Sequence, residues 1–326
     1  MGFAEIVGHQ KLLGNLRSAL RSGRLHHAYL LLGPDGVGKR TIALALAKAI
    51  HCSESEDDFC GACVNCLRIS DSNHPDLRVI GPLTDRKEIS IQQIRELERE
   101  LNYRSFTGKR KIAIIDPAPL MNAAAQNALL KTLEEPPEDC LMILIAANSG
   151  DLLPTVRSRC LRLSFAPLPR HEVAAFIRSK TAMNSDNAEF LAALSMGSIG
   201  AAMNLDKDEL LEKRRIWSGV LDSLKANDYQ ASMVAAEAIG ANRSETLEFL
   251  QWAETWYRDL LIHSITRQSD QLVNLDMLEQ IEKRSAEKSP DQLLSVFSQI
   301  SGAGARIQRN LNRRMVLERL LFDVVR

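Results

Sequence analysis

The sequence has no surplus charge of either sign: 41 Lys and Arg balance 41 Asp and Glu over 326 residues. A zero balance removes the broad basic field typical of nucleic-acid-binding domains, so any DNA contact must come from a local face or through partners. Long apolar runs are missing too; none approaches the ~20 residues of a membrane helix. The start, Met1-Gly2-Phe3-Ala4-Glu5-Ile6, has no basic region followed by an apolar run, and Ile6 stands where a myristoylation signal has Ser or Thr. A cytoplasmic chain without a membrane partner is expected. Internal repeats, low-complexity tracts, a Ser/His/Asp arrangement and paired catalytic carboxylates are also missing. A composition of 45% hydrophobic and 25% charged residues is that of an ordinary globular protein, and the length calls for two or three domains.

The pattern along the chain changes once. Short apolar runs at Ala28 to Leu32, Asp76 to Ile80, Ile112 to Ile115, Leu141 to Ala146 and Cys160 to Phe165 alternate with helical stretches at Thr41 to Ile50, Ile91 to Leu101 and Asn122 to Glu135. This alternation predicts an α/β domain with a parallel sheet covered on both faces. After Pro167-Leu168-Pro169 the strand signal stops. Arg170 to Lys180, Asp186 to Leu194 and a short element after Gly197-Ser198-Ile199-Gly200 suggest a small helical domain at 168–206. Longer amphipathic segments over 207–326, one opened by Asn242 with Glu245 and another by Ser289-Pro290, predict an all-helical bundle.

Gly33-Pro34-Asp35-Gly36-Val37-Gly38-Lys39 matches the phosphate-loop pattern in the right context, strand before and helix after. Gly33, Gly36 and Gly38 let backbone N–H groups converge on phosphate oxygens, and Lys39 reaches the outer phosphates. Two pieces of hydrolytic chemistry are missing. Arg40 replaces the hydroxyl that binds magnesium, with Thr41 one position late, and Ile114-Ile115-Asp116-Pro117 puts proline where a residue orienting the attacking water belongs. Asp116 could still hold magnesium through water. Binding of ATP or ADP stays open, against a glycine-rich turn with no nucleotide.

Cys52, Cys60, Cys63 and Cys66 form C-x7-C-x2-C-x2-C, a spacing that can close four thiolates around a tetrahedral Zn2+ with no open position, hence a structural site at 52–66. Disulfides are the competing reading, disfavoured in a chain without a secretion signal. Cys140 and Cys160, beside apolar runs, are read as small buried hydrophobes. Cys52 to Asp58 is read as a solvated acidic loop, Glu134-Glu135 before Pro136-Pro137 as a helix end, and His26, His27 and His74 as structural. Arg159, in Ser158-Arg159-Cys160, is expected near the carboxyl edge of the sheet. There it is either an arginine reaching a neighbouring subunit's γ-phosphate or a partner in a surface ion pair.

Val7-Gly8-His9-Gln10, the phosphate loop, the cysteine insert and His74-Pro75-Asp76-Leu77 occur here with the string from Asn127 to Pro137 and Ser158-Arg159-Cys160. Together they resemble the clamp-loader branch of the AAA+ family, over the whole chain. The resemblance implies an AAA+ P-loop domain at 1–167 carrying the zinc insert, a lid at 168–206 and a helical collar at 207–326. It further implies a place in a five-subunit ring of the DNA polymerase III holoenzyme, beside tau/gamma and delta subunits, that opens the sliding clamp and places it on primed DNA. Arg159 would be the arginine finger. ATPase members carry Glu where Pro117 stands and Arg where Ala201 stands, so the resemblance implies a non-hydrolysing stator rather than an autonomous ATPase. The alternatives are an ATP-hydrolysing tau/gamma-type subunit and an independent zinc-dependent nucleic-acid-binding protein.

Overall fold

The computed structural model describes residues 2–84, 86–224, 228–240, 242–269, 271–308 and 311–324, so Met1 and Arg326, the outermost expected bounds, lie outside it. The chain splits into two compact units, Met1–Met183 with Ser195–Met203, and Asn184–Leu194 with Asn204–Arg326.

In the first unit the elements run α1 (Gln10–Arg21), β1 (Ala28–Leu32), α2 (Lys39–His51), α3 (Val64–Ser70), β2 (Leu77–Ile80), α4 (Ile91–Leu101), β3 (Lys111–Ile115), α5 (Ala123–Glu134), β4 (Cys140–Ala146), α6 (Pro154–Arg157), β5 (Leu161–Ser164) and α7 (Arg170–Lys180). All strand pairs are parallel, in the order β2-β3-β4-β1-β5. Alternation within the apolar strands explains why both faces are covered. Tyr29, Leu31, Ile112, Ile114, Leu141 and Ile143 join α2 and α3 on one side, while Leu30, Ala113, Ile115, Met142 and Leu144 join α4 and α5 on the other. Every residue of β3 and β4 is buried, which accounts for their continuous apolar reading. Helix starts follow their capping residues: Ser90 and Gln93 form a capping box on α4, and Asn122 Oδ1 accepts from Ala125 N at 2.9 Å on α5.

β1 lies between β4 and β5; the connection out of β1 runs to one side, to β2, and the connection out of its neighbour β4 runs to the other, to β5. The crevice beyond the carboxyl end of β1, where the chain enters α2, is where such sheets bind ligands.

The stretch 168–206 is shared between the units. α7 and α9 (Ile199–Asn204) belong to the first, and α8 (Ser185–Leu194) to the second. The second unit continues with α10 (Lys207–Ser223), α11 (Tyr229–Ile239), α12 (Arg243–Thr266), α13 (Leu278–Ser285), α14 (Pro290–Gln308) and α15 (Arg313–Val324). Its core is built around α12, whose Phe249, Trp252, Ala253, Trp256 and Leu260 pack with Leu293, Ile300 and Leu317. Asn242 caps α12 and Pro290 opens α14, as their sequence signals predict.

Candidate functional site

The phosphate loop turns at glycines the geometry requires. At Gly33, with φ +150°, a Cβ would lie 2.3 Å from Phe165 O; at Gly36, with φ +73°, it would lie 2.3 Å from Ser198 Oγ. α1 is tied to the same loop through His9 Nε2, 3.0 Å from Val37 O. A cavity of about 500 Å3 opens there, lined by Gly36 to Thr41 and Asp116 among others.

The cations of this cavity are already engaged by the chain's own oxygens. Lys39 is 5% exposed, and its Nζ donates to Gly33 O, to Pro34 O at 2.8 Å and to Asp35 Oδ1 at 3.3 Å. Arg40 Nη1 lies 3.1 Å from Asp116 Oδ2, joining the residue in place of the magnesium hydroxyl to the carboxylate that would face the metal. The start of α9 closes on the loop: Gly200 N donates to Gly36 O at 2.9 Å and Ser198 Oγ to Asp35 O at 2.8 Å. A Cβ at Gly200 would come within 2.8 Å of Gly36 Cα, a contact between two glycines that no spacing rule announces.

At the other end of α2, Cys52, Cys60, Cys63 and Cys66 place their sulfurs within 4.8 Å of one another, and all are free thiols. Backbone N–H groups turn toward the sulfurs: Cys60 N toward Cys52 Sγ at 3.4 Å, and Ala62 N and Cys63 N toward Cys60 Sγ at 3.4 and 3.2 Å. Such donors support thiolate charge. Burial opposes ionisation of the Cys63 thiol, but hydrogen bonds from Ser53 and Cys66 bring it down to about 5. Burial and the neighbouring Cys63 and Cys52 push Cys66 up to about 12. The four-sulfur set fits a metal such as zinc. The acidic run is less solvated than expected: Asp58 Oδ1 accepts from Phe3 N at 2.8 Å, and Asp57 pairs with Arg17 and Arg21.

His51, His74 and Asp76 form a second buried group with ligand atoms within 4.8 Å, missed in the sequence because His51 and His74 lie far apart along it. Hydrogen bonds assign their tautomers. Thr107 Oγ1 donates to Asp76 Oδ2 at 2.7 Å and so accepts from His51 Nδ1 at 3.3 Å, leaving His51 Nε2 an acceptor. Asp76 N donates to His74 Nδ1 at 3.2 Å, which puts the His74 proton on Nε2. Both Nε2 atoms are buried without a hydrogen-bond partner among the described residues, that of His74 carrying a proton and that of His51 a lone pair. Burial, then His74, lowers the His51 pKa to about 4. Cys140 and Cys160 are buried, with burial raising both thiols to about 11.

Arg159 departs from its expected place. Leu161 registers with Tyr29 at the beginning of β1, so Arg159, two residues earlier, stands at the amino edge of the parallel sheet. The phosphate loop leaves the carboxyl edge, about six residues or ~20 Å away along the strand direction. The cause is the crossover: after β4 the chain passes through α6 and returns to the amino edge before β5 begins. The structure therefore joins Gly36, Gly38, Lys39, Arg40, Thr41 and Asp116 around one cavity, leaves Gly33 outside its lining as an acceptor for Lys39, and keeps Arg159 and the cysteines apart from it. The Arg159 guanidinium pairs with Glu134 and donates to Thr155 O at 2.8 Å.

Two family descriptions match this chain: "DNA polymerase III, delta subunit" over residues 8–169, and its C-terminal region over 210–325. DNA polymerase III subunit delta' of Pseudomonas aeruginosa is 32% identical, covering 91% of this chain and 91% of its own. The chain belongs to the DNA polymerase III subunit delta' family. Subunit delta' of Bacillus subtilis is 30% identical over 94% of this chain and 93% of its own. DNA polymerase III subunit tau/gamma of Haemophilus influenzae is 32% identical over 68% of this chain, but only 33% of that protein is covered. Among the described residues no helix is long and apolar enough to cross a membrane.

Proposed function

We propose that the chain is a non-hydrolysing subunit of the DNA polymerase III clamp loader, a stator that supplies Arg159 as an arginine finger to a neighbouring ATPase subunit of tau/gamma type. With tau/gamma and delta partners it would open the sliding clamp and place it on primed DNA. The domain bounds 1–167, 168–206 and 207–326 and a structural Zn2+ on the four cysteines are part of this reading.

The observation that carries it is the separation of Arg159 from its own chain's phosphate loop across the full length of the sheet. An arginine so placed has no route to a nucleotide in its own loop and serves, if any, another chain's. Non-hydrolysis rests on Pro117, on Arg40 holding Asp116, and on Ala201 in the latch segment. These also count against the tau/gamma-type alternative, and end-to-end similarity to delta' counts against an independent nucleic-acid-binding protein. The kept Lys39 and the cavity support ATP or ADP as a ligand rather than a substrate.

The test is a reconstituted clamp loader carrying Arg159→Ala. The chain should fold and assemble normally while hydrolysis at the one served site falls by ~10³ or more, appearing partial in bulk assays. Hydrolysis and loading at the unmodified rate would reduce Arg159 to a surface ion pair.

A further inference from the structure

Arg159 sits on the short turn between α6 and β5, yet three acceptors hold its guanidinium. Nη2 pairs with Glu134 Oε1, and Nη1 donates to Thr155 O at 2.8 Å and Ser158 Oγ at 3.3 Å. A guanidinium has five N–H donors in a rigid fork. Nε–H and one Nη2–H are left without a partner among the described residues, on a side chain 33% exposed.

Glu134 is an odd residue for its position. It is the last of α5, where the carbonyl end of the helix disfavours a carboxylate and favours a base. Stability does not account for it, because solvent screens an ion pair as exposed as this one and leaves it little net contribution. What the carboxylate does do is fix one edge of the guanidinium while the turn's own Thr155 and Ser158 fix the other.

We propose that Glu134 is a positioning residue for Arg159, holding the guanidinium plane so that its two remaining N–H donors are presented to the phosphoryl oxygens of a nucleotide on a neighbouring subunit. This rests on the finger reading of Arg159. Preorganised donors gain most when no reorientation accompanies charge development. A carboxylate and a carboxamide both offer the accepting oxygen, whereas alanine offers none.

The experiment is single-turnover ATP hydrolysis by the reconstituted complex, following the phase that Arg159→Ala removes. Glu134→Ala should slow that phase by about 10- to 100-fold, the scale of a small misplacement of a catalytic group, with the half-saturating ATP concentration unchanged. Glu134→Gln should recover most of the rate. In the Arg159→Ala background, Glu134→Ala should have no further effect, the signature of two residues acting as one unit. Glu134→Ala running at the unmodified rate while Arg159→Ala is slow would overturn the proposal and leave the finger reading standing. So would a further slowing of the Arg159→Ala complex by the same factor. An unaffected Arg159→Ala complex would overturn both.

Discussion

The two ends of α2 are both written for ligands, and the chain has treated them oppositely. At the amino end the phosphate loop keeps its glycines and Lys39, yet the lysine is buried against three oxygens of the loop and Arg40 is bound to Asp116. At the carboxyl end four sulfurs converge within 4.8 Å, receiving backbone N–H groups, with one thiol lowered and its neighbour raised. At the end with the better-known motif the charged side chains are already engaged by the chain's own oxygens, whereas at the other end the sulfurs converge with no cation of the chain among them.

The largest effect that would break this comparison lies at the cysteine end. One Zn2+ per chain is expected by metal analysis, and Cys63→Ser should lower Tm by roughly 3–4 °C, corresponding to a loss of ~2–3 kcal/mol in a chain of this size. A chelator should shift the unmodified chain the same way and leave Cys63→Ser nearly unchanged, because a structural metal contributes folding free energy only while it is bound. A chain purified free of metal, indifferent to chelator, or holding Cys60 and Cys63 in a disulfide under reducing conditions would sink the claim.

Much of the first unit was legible in the sequence because each strand is an apolar run bounded by turns. β1 falls on Ala28 to Leu32, α4 on Ile91 to Leu101 and α7 on Arg170 to Lys180, as read from periodicity and flanking residues. The cysteine cluster was legible for the same local reason: four thiols fall within fifteen residues, and their sulfurs do converge. Contacts that span the chain were not legible. Glu134 reads as a helix end until β4 and α6 bring Arg159 beside it. Gly200 reads as a helix start until it closes on Gly36, and the acidic run reads as solvated until Asp57 meets Arg17 and Arg21 on α1. Arg159 was put at the wrong edge of the sheet because strand direction is a property of topology, which the residues around it do not carry.

A smaller effect is expected at the amino end of α2. Arg40→Ser would return a hydroxyl to the position after Lys39 and release Asp116 from its ion pair. Magnesium-dependent ADP binding, followed by titration calorimetry, should tighten by about 10-fold, a little over 1 kcal/mol, since both changes favour the metal. Fold stability should move by less than ~1 kcal/mol, because Arg40 is 53% exposed and pairs of that kind contribute little. Equal ADP affinity in the two proteins, with and without magnesium, would mean the Arg40–Asp116 pair is not what stands in the metal's way. The Lys39 contacts and the α9 latch would then carry that role.

The smallest effect concerns Pro117. Replacing it by glutamate restores the group that ATP-hydrolysing relatives are expected to use, so the simple forecast would be a gain of turnover. Catalytic groups act as a unit, however, and one member restored beside missing partners recovers little. Here the partners are missing in two places: Arg40 occupies the magnesium position and holds Asp116, and Ala201 offers no cation from the start of α9. Lys39 would also have to leave Gly33, Pro34 and Asp35 to reach a phosphate. Steady-state phosphate release by purified Pro117→Glu should therefore match that of the unmodified chain, both at background, with or without DNA. Magnesium-dependent turnover by the unmodified chain would overturn the non-hydrolysing assignment. Turnover appearing in Pro117→Glu alone would place the entire defect in one residue and show that the other captured cations let go when a nucleotide binds.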